Sequence, residues 1–238
     1  MSMLWVWVDE LTEIGSGSIE LSRDEARHVT ARRLRVGDSL VVFDGRGATA
    51  DARIESVAQR SVRLEVDVIY ENPSPGSGLV IASAIPKGDR LGTMLQMLTQ
   101  LGLEVWQPLV LDDSAIRKLD SSASRLQRIC IESAKVARRP WRLELRETTT
   151  LDMLFEGESN FENVYYGDRV GKAFGVGLDL DGEAAVVIIG PEAGFSESER
   201  KYLEISGAMA ISFGQHNLRI ETAAVAAMTA ANFVKAPR

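Results

Sequence analysis

Two short stretches in the last quarter of the chain put chemistry-bearing residues at breaks in regular backbone. IGPEAGFSESE, residues 189–199, follows the apolar run AAVVI and places Gly190, Pro191, Glu192 and Gly194 just ahead of Ser196 and Glu199. FGQHNLRIETAA, residues 213–224, leaves a second apolar run at Phe213 and Gly214. It brings Leu218, Arg219, Glu221 and Thr222 to the entrance of an alanine-rich segment. A plain strand-to-helix turn needs one glycine and a cap, and the first stretch holds more special backbone than that. Glycine lets a backbone approach a ligand closely and take positive φ, and a helix entrance satisfies anionic groups. Capping alone accounts for Ser196, Glu199, Glu221 and Thr222. It does not account for Arg219 beside a positive helix end, which invites either an anionic partner or a salt bridge with Glu221.

The elements that must position these residues follow a simple rhythm. Residues 79–238 alternate strand-like and helix-like patterns: GLVIASAI, a helix over Gly88–Leu101 with Leu91, Met94, Leu95 and Leu98 on one face, VWQPLVL, and a helix over 121–139. FENVYYG, AAVVIIG and MAISFG then read as strands that each end at a glycine, namely Gly167, Gly190 and Gly214, and the last helix spans Glu221–Val234. Such alternation predicts an α/β fold, a parallel sheet covered by helices. Ligands in open α/β sheets bind at the carboxyl ends of strands, so the glycine-bearing turns around 190 and 214 are expected to share one cleft.

Residues 1–72 read differently. SLVVFDG, ATADARIESV and SVRLEVDVIY are alternating strands with glycine-containing turns, and Ser22 with Glu25 caps a helix running to Leu34. A small β-rich domain is expected there. The Pro, Gly and Ser of residues 73–78 join it to a second domain over 79–238.

The chain has 238 residues, 45% hydrophobic and 26% charged, with a formal net charge of −7. This composition is that of a globular protein. No apolar run approaches the ~20 residues of a membrane span, and the start MSMLWVWVDELTEIG lacks the form of a secretory leader. One cysteine, Cys130, and two histidines leave no Cys/His zinc set and no internal disulfide, so no metal and a cytoplasmic location are expected. The acidic total hides basic runs. RDEARHVTARRLR, residues 23–35, includes Arg27, Arg32, Arg33 and Arg35, and residues 125–142 include Arg139; Lys87 and Arg90 add to these. Local basic faces attract nucleic-acid phosphate.

IGPEAGF followed by LRIETAA resembles the IGPEGGF and LRTETA pair of the ribosomal RNA small subunit methyltransferase E family, within the SPOUT superfamily. RHVTARRLRVGD, FDG, KGDR at 87–90 and QLGLEVWQPL agree in order and spacing, so the resemblance covers essentially the whole chain. It implies an N-terminal PUA-like RNA-binding β-barrel and a C-terminal α/β domain with a deep trefoil knot. It further implies S-adenosyl-L-methionine as cofactor, a homodimer, and methylation of N3 of a uridine in 16S ribosomal RNA within the small subunit. On the matching positions, Gly167, Ile189, Gly190, Glu192, Gly194, Phe213, Gly214, Leu218, Arg219 and Thr222 would hold the cofactor. Arg219 would stabilise charge on the uracil, since a guanidinium is no base, while Glu221 would act as the base or orient Arg219. His28 and His216 are less suited, the first lying in the RNA domain and the second in a cofactor loop.

The chain departs from the family pattern where Met97 and Gln100 replace a usual Lys and Glu, where KVARR at 135–139 keeps only Arg139, and where Trp5 and Trp7 stand in place of an N-terminal arginine. Ile220 replaces the threonine of LRTETA. The cofactor loops are thus kept better than the RNA-facing and intersubunit surfaces. Rival readings are a non-catalytic knotted RNA-binding or assembly protein, and a methyltransferase for another RNA position.

Overall fold

Alternating burial builds the first sheet. In the computed structural model, which describes residues 3–58, 61–76, 78–156, 161–174 and 184–235, the N-terminal region carries β1 (Trp5–Trp7), α1 (Leu11–Ile14), β2 (Gly17–Glu20) and α2 (Arg23–Ala31). These are followed by β3 (Ser39–Phe43), β4 (Ala48–Val57) and β5 (Val62–Glu71). Along β4 and β5 every second residue points inward, so that Ala50, Ala52 and Ile54 meet Val62, Leu64 and Val66 in one core. The sheet order is β1-β3-β4-β5-β2, antiparallel except where β1 joins β3. Ser22 caps α2 by accepting from Glu25 N at 3.4 Å, and α2 sends Ala26 and Val29 into the same core.

This first compact unit, running to Ser74, also includes Ala134–Arg142 from much later in the chain. Lys135 there donates to Glu25 Oε1 at 2.6 Å, with both side chains nearly sealed from solvent. Trp141 donates to the Pro73 carbonyl at 3.0 Å and bridges to Arg46.

The second unit comprises Pro75–Ser133 and everything from Leu143 onward. Its strands are β6 (Leu79–Ala84), β7 (Val105–Val110), β8 (Glu144–Leu145), β9 (Thr149–Thr150), β10 (Asn163–Ala173), β11 (Ala185–Ile189) and β12 (Met209–Ser212). Its helices are α3 (Asp89–Leu101), α4 (Ser124–Ala137, whose last residues belong to the first unit), α5 (Leu151–Glu156), α6 (Glu197–Ile205) and α7 (Ile220–Lys235). All pairings are parallel, in the order β12-β10-β11-β6-β7-β8 with β9 beside β7. The central strands β6 and β11 are buried at every residue, as expected of parallel strands covered on both faces. Helices α3 and α7 pack on one another, and α7 lies over β6 and β11. Trp106 is fully buried, its indole N–H held by Ser83 Oγ at 2.9 Å, so it fills the core.

The alternation of strand and helix in this unit is the one the sequence predicts. One strand differs. β10 does not end at Gly167 but runs on to Ala173 through an irregularity: Gly167 and Lys172 are both opposite Ile211 on β12. Residues 168–171 are therefore extra length inserted between two pairings with the same partner. Such insertions re-aim side chains beside a strand end.

Candidate active site

The carboxyl ends of β10, β11 and β12 enclose one cavity of about 340 Å³, within the roughly 300–1,000 Å³ usual for small-molecule sites. The turn after β11 supplies Gly190 to Phe195, the turn after β12 supplies Phe213, Gly214 and Leu218, and the β10 insertion supplies Asp168, Arg169 and Val170. The two stretches singled out in the sequence therefore do meet in a single cleft.

Each turn has a local cause. After Ile189 the backbone passes Gly190, where an added Cβ would lie 3.2 Å from the Phe195 ring. That ring is buried and packs edge-on against Tyr166 at 5.7 Å, so residue 190 must be small for the turn to fold under it. The Pro191 carbonyl accepts from Gly194 N at 2.8 Å, closing a β-turn with Gly194 at φ +87°. The α6 start then fixes the far side. Ser196 and Glu199 form the reciprocal capping box, and both are also tied to Asp112 after β7: Ser196 Oγ donates to Asp112 Oδ2 at 2.6 Å and Glu199 Oε1 accepts from Asp112 N at 2.8 Å. On the β12 side Ser212 Oγ donates to the Gly214 carbonyl at 2.9 Å and accepts from its N–H at 3.3 Å.

Eight residues expected at a cofactor site line this cavity: Gly167, Ile189, Gly190, Glu192, Gly194, Phe213, Gly214 and Leu218. Arg219 and Thr222 do not line it; both side chains are exposed at the start of α7. Glu221 does not pair with Arg219. It lies 3.9 Å from Arg90 of α3, its side chain is only 13% exposed, and its Oε2 has no hydrogen-bond partner. Arg90 donates to Glu192 at 3.1 Å, which places an arginine expected to face RNA between a carboxylate of the cavity lining and Glu221, which stands outside that lining.

The other basic residues divide. Arg27, Arg32, Arg33 and Arg35 are exposed on the first unit, and Lys87 is exposed on the second. Arg139 is 9% exposed and does not present its guanidinium to solvent. Within the cavity His216 is exposed, in keeping with a loop residue. Cleft residues not anticipated from the sequence include Asp168 and Arg200, which pair with each other. Next to them, burial raises the pKa of the Tyr166 phenol above its ordinary value; Glu204 and Asp168 add to the rise and Arg200 opposes it. The signal that could have found Arg200 is weak: a cation four residues past the Ser196 cap, on the face of α6 that turns toward the glycine loop.

Among the described residues no cluster of His, Cys, Asp and Glu is placed to hold a metal ion, and no helix is long and apolar enough to cross a membrane.

Comparison with known proteins bears on the same two units. A family model described as an RNA methyltransferase domain matches residues 72–232, and another described as an RNA methyltransferase PUA domain matches residues 21–67. The ribosomal RNA small subunit methyltransferase E of Rickettsia conorii is 27% identical over 220 residues, which cover 90% of this chain and 88% of that protein. Among solved structures, a ribosomal RNA small subunit methyltransferase E from Neisseria gonorrhoeae bound to S-adenosyl methionine is similar at a TM-score of 0.83 and 24% identity, over 98% of both chains. A probable rRNA-methyltransferase from Porphyromonas gingivalis is similar at a TM-score of 0.85 and 24% identity, over 98% of this chain and 99% of that one. These structural likenesses establish the fold, an α/β domain with a parallel sheet preceded by a PUA-type domain. The chain belongs to the RNA methyltransferase family, with the ribosomal RNA small subunit methyltransferase E proteins as its relatives.

Proposed function

We propose that this chain methylates N3 of a uridine in 16S ribosomal RNA, using S-adenosylmethionine. One observation carries the proposal: segments distant in sequence, the β10 insertion and the turns after β11 and β12, line a single cavity at the edge where open parallel sheets bind ligands. The residues present fit the cofactor. The cavity joins the apolar groups of Ile189, Phe195, Phe213 and Leu218 to the charged Asp168, Arg169, Glu192 and Arg200, a mixed lining that suits a ligand with an aromatic base at one end and a charged tail at the other. The relative from Neisseria gonorrhoeae bound to S-adenosyl methionine supports the same choice.

When bound, S-adenosylmethionine would supply an electrophilic methyl on a sulfonium, and the chain's own residues would have to orient N3 and accept the proton it gives up. The turns hold the reacting partners at a fixed orientation. Arg219, exposed at the cleft's rim helix and permanently charged, stabilises negative charge on the uracil. To receive the proton or to orient Arg219, Glu221 must turn toward the cleft, because it stands outside the cavity lining with its Oε2 buried beside Arg90.

Arg27, Arg32, Arg33 and Arg35 of the PUA-type unit, and Lys87 of the other, hold RNA phosphates in this proposal. It also takes the first sheet as a PUA-like barrel over residues 1–72, the domain over 79–238 as a deep trefoil knot, and the working form as a cytoplasmic homodimer acting on the small subunit. Mass spectrometry of small-subunit RNA nucleosides, from cells with and without this protein, tests the activity. Loss of 3-methyluridine, restored by the gene, is the expected result. Unchanged 3-methyluridine refutes the assignment, and loss of a different methylated nucleoside moves the activity to another position.

A further inference from the structure

Asp168 and Arg200 form an ion pair inside the cavity lining. The β10 insertion creates it. Because Gly167 and Lys172 share Ile211 as their partner, residue 168 is pushed out of the sheet register and toward α6. The Asp168 carboxylate is then fully engaged: Oδ1 accepts from Val170 N at 3.0 Å, and Oδ2 accepts from Arg200 Nη1. Its side chain is only 10% exposed, whereas that of Arg200 is 43% exposed.

Arg200 is not used up by this contact. A guanidinium carries five N–H donors in a rigid plane, and among the described residues Arg200 spends one nitrogen, on Asp168. Its Nη2 lies 3.7 Å from where a Cβ at Gly194 would stand, so the open side of the fork rests over the Pro191–Gly194 turn. The second acid of the lining, Glu192, is held by Arg90 at 3.1 Å. Both cavity carboxylates are therefore neutralised by cations, and the charge left to meet a ligand is positive. A planar fork already fixed by an aspartate fits a carboxylate in bidentate fashion and loses little freedom on binding it.

We propose that Arg200, anchored by Asp168, is the receptor for the carboxylate of the ligand's amino-acid tail, which makes it a specificity residue for ligands that carry that tail. The assignment rests on the cofactor reading above. It is tested by calorimetric titration of the full chain with two nucleoside thioethers, S-adenosylhomocysteine, which has the amino-acid tail, and 5′-methylthioadenosine, which lacks it. The wild-type chain should prefer the tailed ligand by roughly tenfold to a hundredfold, the range for a charged hydrogen-bonded contact. Arg200→Ala should abolish that preference while leaving 5′-methylthioadenosine affinity within about twofold, and Arg200→Lys should restore part of it. Retention of the wild-type preference in Arg200→Ala overturns the proposal, including the case in which that variant loses only RNA affinity. Equal loss of both ligands also overturns it, because Arg200 would then build the pocket. If the wild-type chain binds neither ligand, the cofactor reading itself fails.

Discussion

Arg90 stands 3.9 Å from Glu221 while the same Nη1 donates to Glu192 at 3.1 Å, so one guanidinium ties the turn after β11 to the start of α7. Arg90→Ala should free Glu192 and leave the largely buried Glu221 without its nearest cation. Methyl transfer at saturating RNA should then fall about tenfold to a hundredfold, as for loss of one preorganised electrostatic contact, and Arg90→Lys should recover part of it. Single-turnover kinetics separates this from an RNA contact, whose loss would weaken RNA binding and leave the saturated rate intact.

Arg219 is exposed and outside the cavity lining. Arg219→Ala should keep cofactor affinity within about twofold yet lower the transfer rate about a hundredfold. Equal losses in titration and in rate would show that Arg219 shapes the pocket instead.

Two glycines should respond differently to one added methyl. At Gly190 a Cβ meets the Phe195 ring at 3.2 Å, and a ring can shift by tenths of an ångström. At Gly171 it meets the backbone of Ala210 and Ile211 at 2.6 Å, in the strand alongside. Gly190→Ala should cost about 1–2 kcal/mol and Gly171→Ala about 3 kcal/mol or more. Chemical denaturation measures both, and a smaller loss at residue 171 would mean that β10 and β12 separate easily.

These two glycines also mark how far the sequence could be read. Gly190 announces itself, because it ends the apolar run AAVVI and is followed by Pro191 and a capping pair. The α/β rhythm and the meeting of the 190 and 214 turns follow from such local patterns. Gly171 sits in GDRVGKA, where nothing local shows that the chain rejoins the same neighbour four residues late. That register is fixed by β12, some forty residues on, and with it the inward turn of Asp168 and its pairing with Arg200. Strands β8 and β9, of two residues each, are too short to show a period. Arg139 and Arg90 looked like surface charge because a basic run carries no sign of which members will find partners.

Lys135 and Glu25 form a buried pair at 2.6 Å. Removing one partner, as in Lys135→Met, should cost about 3–5 kcal/mol by stranding a buried charge. Adding Glu25→Leu should return much of that loss, since a packed apolar pair often replaces a buried ion pair without penalty. A thermal melt of the two single variants and the double variant closes the cycle; an additive result would mean that the two charges do not couple.

The Tyr166 phenol has a raised pKa, chiefly through burial. Its folded form holds the proton more tightly than the unfolded chain does, so the stabilisation is complete below the ordinary tyrosine value of about 10 and declines as pH climbs beyond it. Tyr166→Phe should flatten the stability profile in that alkaline window and remove one late-titrating phenolate from the absorbance titration. An unchanged profile would place the phenol in contact with water.

The first unit borrows Ala134–Arg142 from beyond the midpoint of the chain. A ribosome making this protein therefore finishes β5 long before it delivers the lysine that neutralises Glu25, and the N-terminal unit waits with that carboxylate unpaired through the synthesis of β6, α3 and β7. A gene fragment stopped at Ser74 would encode every strand of that sheet and still omit a piece of its interior.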